Sequence, residues 1–320
     1  MKHRSIAIPA ALILALALAG CAPQPAAAQT EEASQMTNMI QDPEFCKGAQ
    51  IYAPGKPMTF TGNLDFGRDG GGRPQWLLTQ WNSRNSIRTV KGMREGNSLV
   101  YENEFKTVAR DDDGTITLRV NATKEYTRTR TKLTDPWVHL YMEQRYTKPY
   151  PIGSAKRMRL KFSFSIPFFK DGTPEGELDN SLHASIAVFY IILKDMNPES
   201  ACYGQFINFC VMLYDNRTPT TREEWHVDAG QNPIDATNMM VYTMDSSVYC
   251  GPVIADGKWH DVDFDPLAYF RKSFEIAQSN NMMSTTKFED LAVSSVFFGF
   301  EVPGVMDNEM KLRAPFLGAE

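Results

Sequence analysis

Three carboxylates alternate in Asp261-Val262-Asp263-Phe264-Asp265. Alternate side chains of a strand share a face, so these acids would stand in one row, and retaining glycoside hydrolysis uses two carboxyl groups about 5–5.5 Å apart. Asp265 has a competing role as a helix N-cap, because Pro266 and spaced apolar residues follow it. A second group lies between Val138 and Arg145, where His139, Tyr141, Glu143 and Arg145 alternate with Val138, Leu140 and Met142. β-Elimination from a uronate needs a base beside the scissile proton and cations to hold the carboxylate, which these residue types supply. Arg119, Arg157, Arg159 and Lys161 would enrich that face. The competing reading is a solvated outer sheet face whose charges discourage edge pairing. Asp261, Asp263, His139 and Tyr141 are the candidate catalytic residues.

Indoles supply a different chemistry. Trp81 and Arg84 lie in a polar segment with Asn82, Ser83 and Asn85, and Trp225-His226-Val227-Asp228 places an indole near an acid. Exposed indoles stack on the apolar faces of pyranose rings while neighbouring polar groups hydrogen-bond the hydroxyls. Trp81, Arg84, Trp225, His226 and Asp228 are therefore candidate ligand contacts, with core packing as the alternative for each tryptophan. Trp259 is expected in the core. Gly-x-Ser-x-Gly, His-Glu-x-x-His and phosphate-cradle motifs are absent, and Asp111-Asp112-Asp113-Gly114 reads as a hairpin turn rather than a calcium loop. No metal or cofactor is expected.

Positioning these residues requires strands. Ile116, Leu118, Val120 and Ala122 alternate with polar residues, as do Met158, Leu160, Phe162, Phe164, Ile166 and Phe168, the period of a half-buried strand. Segments 186–193 and 206–213 are almost continuously apolar, as central strands covered on both faces would be. Further strands are expected over 138–142, 239–244, 259–264, 293–300 and 310–316. Leu267, Phe270, Phe274 and Ala277 predict one short helix near residues 266–278. The expectation is an all-β, two-sheet antiparallel jelly-roll sandwich over 45–320 as a single domain.

Ahead of it, Lys2, His3 and Arg4 precede an apolar run from Ile6 to Gly20 that is too short to span a bilayer. Leu18-Ala19-Gly20-Cys21 resembles the bacterial lipobox, which implies a signal peptide over 1–20 and lipidation of Cys21. Residues 21–44, rich in Ala, Gln, Pro, Thr and acids, read as a flexible tether. Ala22 rather than Asp after the cysteine favours an outer-membrane or cell-surface position in the bacterial envelope, with membrane contact through the lipid only. The remaining Cys46, Cys202, Cys210 and Cys250 are expected to form two disulfides after export. The formal charge of −5 argues against a nucleic-acid partner.

The stretch from Asp256 to Phe264, the helix after it, Gly299-Phe300-Glu301-Val302-Pro303-Gly304 and the strand from Glu309 to Phe316 resemble the C-terminal half of jelly-roll carbohydrate-binding sandwiches, the galactose-binding-like and concanavalin-like folds. The 261–265 spacing is similar to the E-x-D-x-E strand of laminarinase-like hydrolases, with Asp in place of both Glu. The resemblance implies a polysaccharide or oligosaccharide ligand. The expected function is a surface-tethered, non-catalytic glycan-binding lipoprotein. The alternatives are a polysaccharide-degrading sandwich enzyme, hydrolase or lyase, and a structural or adhesion protein binding another protein.

Overall fold

Alternating and continuously apolar segments become sixteen strands, described by a computed structural model over residues 36–54, 58–67, 72–88, 90–228 and 237–320. In chain order they are β1 (Ala49–Tyr52), β2 (Phe60–Leu64), β3 (Trp76–Thr79), β4 (Met93–Glu95), β5 (Ser98–Glu102), β6 (Lys106–Asp111), β7 (Ile116–Asn121) and β8 (Val138–Pro151). There follow β9 (Met158–Asp171), β10 (Ile186–Asp195), β11 (Phe206–Asp215), β12 (Glu224–Val227), β13 (Met240–Thr243), β14 (Trp259–Phe264), β15 (Leu291–Val302) and β16 (Met306–Ala319). The described helices are a single turn, α1 (Ala122–Glu125), and the expected one, α2 (Leu267–Ser279).

Nine strands form one sheet in the order β12-β13-β11-β10-β15-β8-β3-β1-β2, and seven form the other in the order β14-β9-β16-β7-β6-β5-β4. The all-β jelly-roll sandwich read from the sequence is the observed fold. Its pairings are antiparallel except β1 with β3 and β11 with β13, which are parallel. Between the sheets, Phe162 stacks on Phe189 at 4.9 Å and Phe189 on Phe298 at 6.1 Å. Trp76, fully buried, meets Phe298 edge-on at 5.5 Å and donates its indole N–H to Asp42 O at 2.9 Å. Asp265 Oδ1 accepts the Leu267 N–H at 2.9 Å, which starts α2, and Phe270 of α2 packs edge-on against Phe209 of β11 at 4.7 Å.

Three expectations are corrected or left aside. The folded unit begins at Thr37 rather than residue 45: Met39 and Ile40 are buried, and Met39 N–H donates to Leu317 O at 2.7 Å, so the end of the expected tether is part of the sandwich. No disulfide joins Cys46, Cys202, Cys210 and Cys250, where two were expected. Their surroundings differ: Cys46 faces Arg110 Nη2 at 3.4 Å, Cys202 N–H donates to Thr285 Oγ1 at 3.1 Å, and Cys210 stands in mid-strand between Tyr190 and Thr243. The signal peptide 1–20 and Cys21 lie outside the described residues. Among those residues, no helix is long and apolar enough to cross a membrane.

Candidate functional site

The outer face of the nine-stranded sheet carries a second apolar cluster, separate from the core, of Tyr141, Val188, Ile192, Cys210, Val241 and Phe297, with Trp81 and Tyr190 packed against it. Strand alternation puts these residues on one side and the core residues on the other. Both faces of the central strands are therefore covered, as their continuous hydrophobicity demands.

Glu301 of β15 stands on this outer face, beside His139 of β8 and Ile186 of β10 in the register. Tyr141 Oη donates to Glu301 Oε1 at 2.5 Å, and Tyr190 Oη approaches the same oxygen at 3.4 Å. Around them runs a chain of rings. Trp81 meets Tyr141 at 5.7 Å and His139 at 6.0 Å, Tyr141 meets Phe297 at 5.1 Å, and Phe297 meets Tyr190 at 4.8 Å. Burial, aided by the Glu301 charge, pushes both tyrosine hydroxyls well above their usual pKa. Burial lowers that of His139, against the opposing pull of Glu301. His139 Nδ1 is buried without a hydrogen-bond partner. The face is thus buried and aromatic, not the solvated outer face weighed from the sequence: His139 is 8% exposed and Tyr141 1%.

Edge strand β12 contributes Glu224 and His226 to the same side, through their register partners Thr243 and Val241. The charges of Glu301 and, more weakly, Asp228 act on His139, and those of Glu301 and Glu224 on Cys210. A carboxylate that accepts two hydroxyl hydrogen bonds has the setting of a base or nucleophile, and edge strand β12 supplies acids and a histidine to the same side of the sheet. Among the described residues no group of three His, Cys, Asp or Glu could hold a metal ion.

The turn that presents Trp81 is held from below. Asn82 adopts φ +57°, and the Arg84 and Asn85 N–H groups donate to Glu125 Oε2 at 2.9 and 3.3 Å. Glu125 is paired with Lys106, neither side chain having any exposure. Burial lowers the Lys106 pKa and the Glu125 charge opposes the shift.

The sequence-derived candidates divide between surfaces. His139, Tyr141 and Trp81 come together, with Asp228 acting on His139. Trp225 does not join them: it pairs in register with the core residue Tyr242, so it faces the opposite side from His226, 41% exposed. Arg84 lies at the turn beside Trp81, its Nη1 donating to Thr127 Oγ1 at 3.2 Å. Asp261 and Asp263 lie on edge strand β14 of the other sheet, bonded to Ser163 at 2.5 Å and bidentately to Arg159 at 2.7 and 2.6 Å. The Arg159 guanidinium holds Asp263 below the usual carboxylate range, and Asp265 is engaged by the α2 N-terminus. Arg119, Arg159 and Lys161 belong to β7 and β9 and cannot enrich the His139 face. Trp259 is 39% exposed under the Arg313 guanidinium at 4.1 Å, not in the core. Glu301 and Glu224 escaped the sequence reading. Their signals were a single acid in the apolar run of β15 and the alternation of Glu224, His226 and Asp228.

No family model matches the chain, and no curated protein matches it. Among solved structures it is similar to a meso-active thermostable cellulase derived from the Cel12A cellulase of Rhodothermus marinus, at TM-score 0.40 and 11% identity, covering 77% of this chain and 100% of that one. It is also similar to a family 12 xyloglucanase from Bacillus licheniformis, at TM-score 0.41 and 11% identity over 76% and 99% of the two chains. A third is the xyloglucanase domain of NopAA, a type three effector from Sinorhizobium fredii, in complex with cellobiose, at 0.34 and 11% over 72% and 96%. The expectation of a non-catalytic glycan-binding module is corrected, because the indoles on which it rested do not share a surface.

Proposed function

We propose that this sandwich is a polysaccharide-degrading enzyme acting on the outer face of the nine-stranded sheet, with Glu301 as the group that attacks or takes a proton. The observation that carries the reading is the Glu301 carboxylate held by Tyr141 and Tyr190 among aromatic rings. Sugar rings stack on such rings, and glycosidic cleavage needs a carboxylate plus a second acid or base, for which Glu224 and Asp228 at edge strand β12 of the same sheet are the candidates. The test is a panel of polysaccharides assayed for new reducing ends and for unsaturated uronate products. Turnover that Glu301→Gln abolishes while the fold persists supports the reading. Turnover of no polymer, or full activity of Glu301→Gln, overturns it.

The basic start, short apolar run and lipobox-like Leu18-Ala19-Gly20-Cys21 support an address in the bacterial envelope, anchored through a lipid on Cys21. Metabolic labelling with a fatty-acid analogue tests this, with loss of label in Cys21→Ala as the expected result.

A further inference from the structure

Immediately beyond the Trp81 turn lies a pocket of about 60 Å³, lined among others by Arg84, Glu125, Tyr126, Arg128, Arg130 and Asp135. It adjoins the outer face of the nine-stranded sheet beside Trp81. Asn82 and Val138, the neighbours of Trp81 and near-neighbours of Glu301's strand, are also in its wall, and Tyr126 Oη accepts the Val138 N–H at 2.9 Å. Its charges do not cancel. Glu125 is taken up by Lys106, and Asp135 by Arg128 at 3.1 Å and by backbone N–H groups. Arg130 is spent on the carbonyls of Leu133, Asp135 and Leu182. No described carboxylate hydrogen-bonds the guanidinium of Arg84 or Arg130. Three guanidiniums, Arg84, Arg128 and Arg130, line the wall, and with Lys106 behind it they make four cations against the three acids Glu125, Asp135 and Glu177, the last accepting the Thr129 hydroxyl at the wall. The volume suits a carboxylate group.

We infer that the polymer taken by this face is acidic: a uronate ring lies against Trp81 and its carboxylate enters the pocket at Arg84, with Arg128 at the rim. This rests on the reading of the outer face of the nine-stranded sheet as a polysaccharide site and adds the substrate class. A guanidinium offers a carboxylate two parallel N–H donors, and the buried Lys106–Glu125 pair fixes the turn that carries Arg84.

The experiment is calorimetric titration of the full protein with a uronate oligosaccharide, its carboxyl-reduced neutral counterpart and a sulfated neutral oligosaccharide, repeated with Arg84→Gln and Arg84→Lys. The uronate should bind at least about tenfold more tightly than its reduced counterpart, the ratio a hydrogen bond to a charged group carries, with the advantage shrinking as salt rises. Arg84→Gln should erase that advantage, and Arg84→Lys should keep part of it. Equal binding of the uronate and reduced forms, an advantage that survives Arg84→Gln, or preference for the sulfated form overturns the inference. If a neutral polymer is cleaved in a Glu301-dependent way, the enzymatic reading stands while this inference falls. Arg84-dependent uronate binding without cleavage of any polymer gives the reverse.

Discussion

Tyr141 and Glu301 stand on neighbouring strands two positions out of register, and their side chains meet at 2.5 Å. The residue directly opposite Tyr141 is Gly299. With no side chain there, the tyrosine reaches diagonally along the sheet to the carboxylate.

Removing the hydroxyl isolates this contact. Tyr141→Phe keeps the ring contacts with Trp81 and Phe297 but leaves Glu301 with only the longer approach of Tyr190. A hydrogen bond to a charged group is worth about 1.5–3 kcal/mol, so kcat/KM should fall about 10- to 100-fold. Thermal unfolding, measured alongside, should change little.

Gly299 is fixed by its backbone as well. It adopts φ +147°, and a Cβ there would lie 2.0 Å from Leu140 O. Gly299→Ala should forfeit several kcal/mol, about the sum expected of strained backbone and a steric clash. Urea titration gives the value, and unchanged stability would show that the strands can part locally.

The tryptophans should separate into three behaviours. Trp76→Ala deletes a packed aromatic and should cost about 3–5 kcal/mol of stability. Trp81→Ala should weaken binding or turnover of a polysaccharide with a smaller stability loss. Trp225→Ala, on the other side of β12, should alter neither by more than about 0.5 kcal/mol, as for an exposed surface site. Paired unfolding and activity measurements on all three variants decide this.

Breaking the Lys106–Glu125 pair should be severe. A buried charge left without its partner costs about 3–5 kcal/mol, so Glu125→Gln and Lys106→Met should each destabilise by that order. The double variant should recover most of the loss. Because Glu125 also holds the N–H groups of Arg84 and Asn85, the double variant should regain stability without regaining function.

His139 predicts a pH dependence of stability. Its folded pKa lies below the ordinary 6.5, so the unfolded chain takes up a proton first as pH falls. The contribution to stability is constant above about that value and is lost as pH drops from there through the folded pKa. His139→Gln should flatten the unfolding free energy between about pH 7 and 5, read by urea titration across that range.

Much of the scaffold was readable because burial writes periodicity into a strand. β7, β9 and β14 alternate, and β10, β11 and β15 are predominantly apolar. Strands β1 to β5 left little trace, being three to five residues long, and β4 is exposed at every position. The site was half readable for a related reason. His139 and Tyr141 share a visible alternation, but Glu301 is 160 residues from Tyr141, and nothing local specifies that β8 and β15 pair in the register that joins them. Continuous hydrophobicity on β10 and β15 also hides which side of each strand faces the core. The Asp261 row was conspicuous because it is a polar edge, where Arg159 and Ser163 already answer its charges.

The position of β16 governs when the protein can finish folding. It lies between β9 and β7, inside the seven-stranded sheet, so without Met306–Ala319 that sheet is two fragments, one of two strands and one of four. The sheet cannot close until this strand is seated between its neighbours, and until then the unpaired edges of β9 and β7 are open to wrong partners.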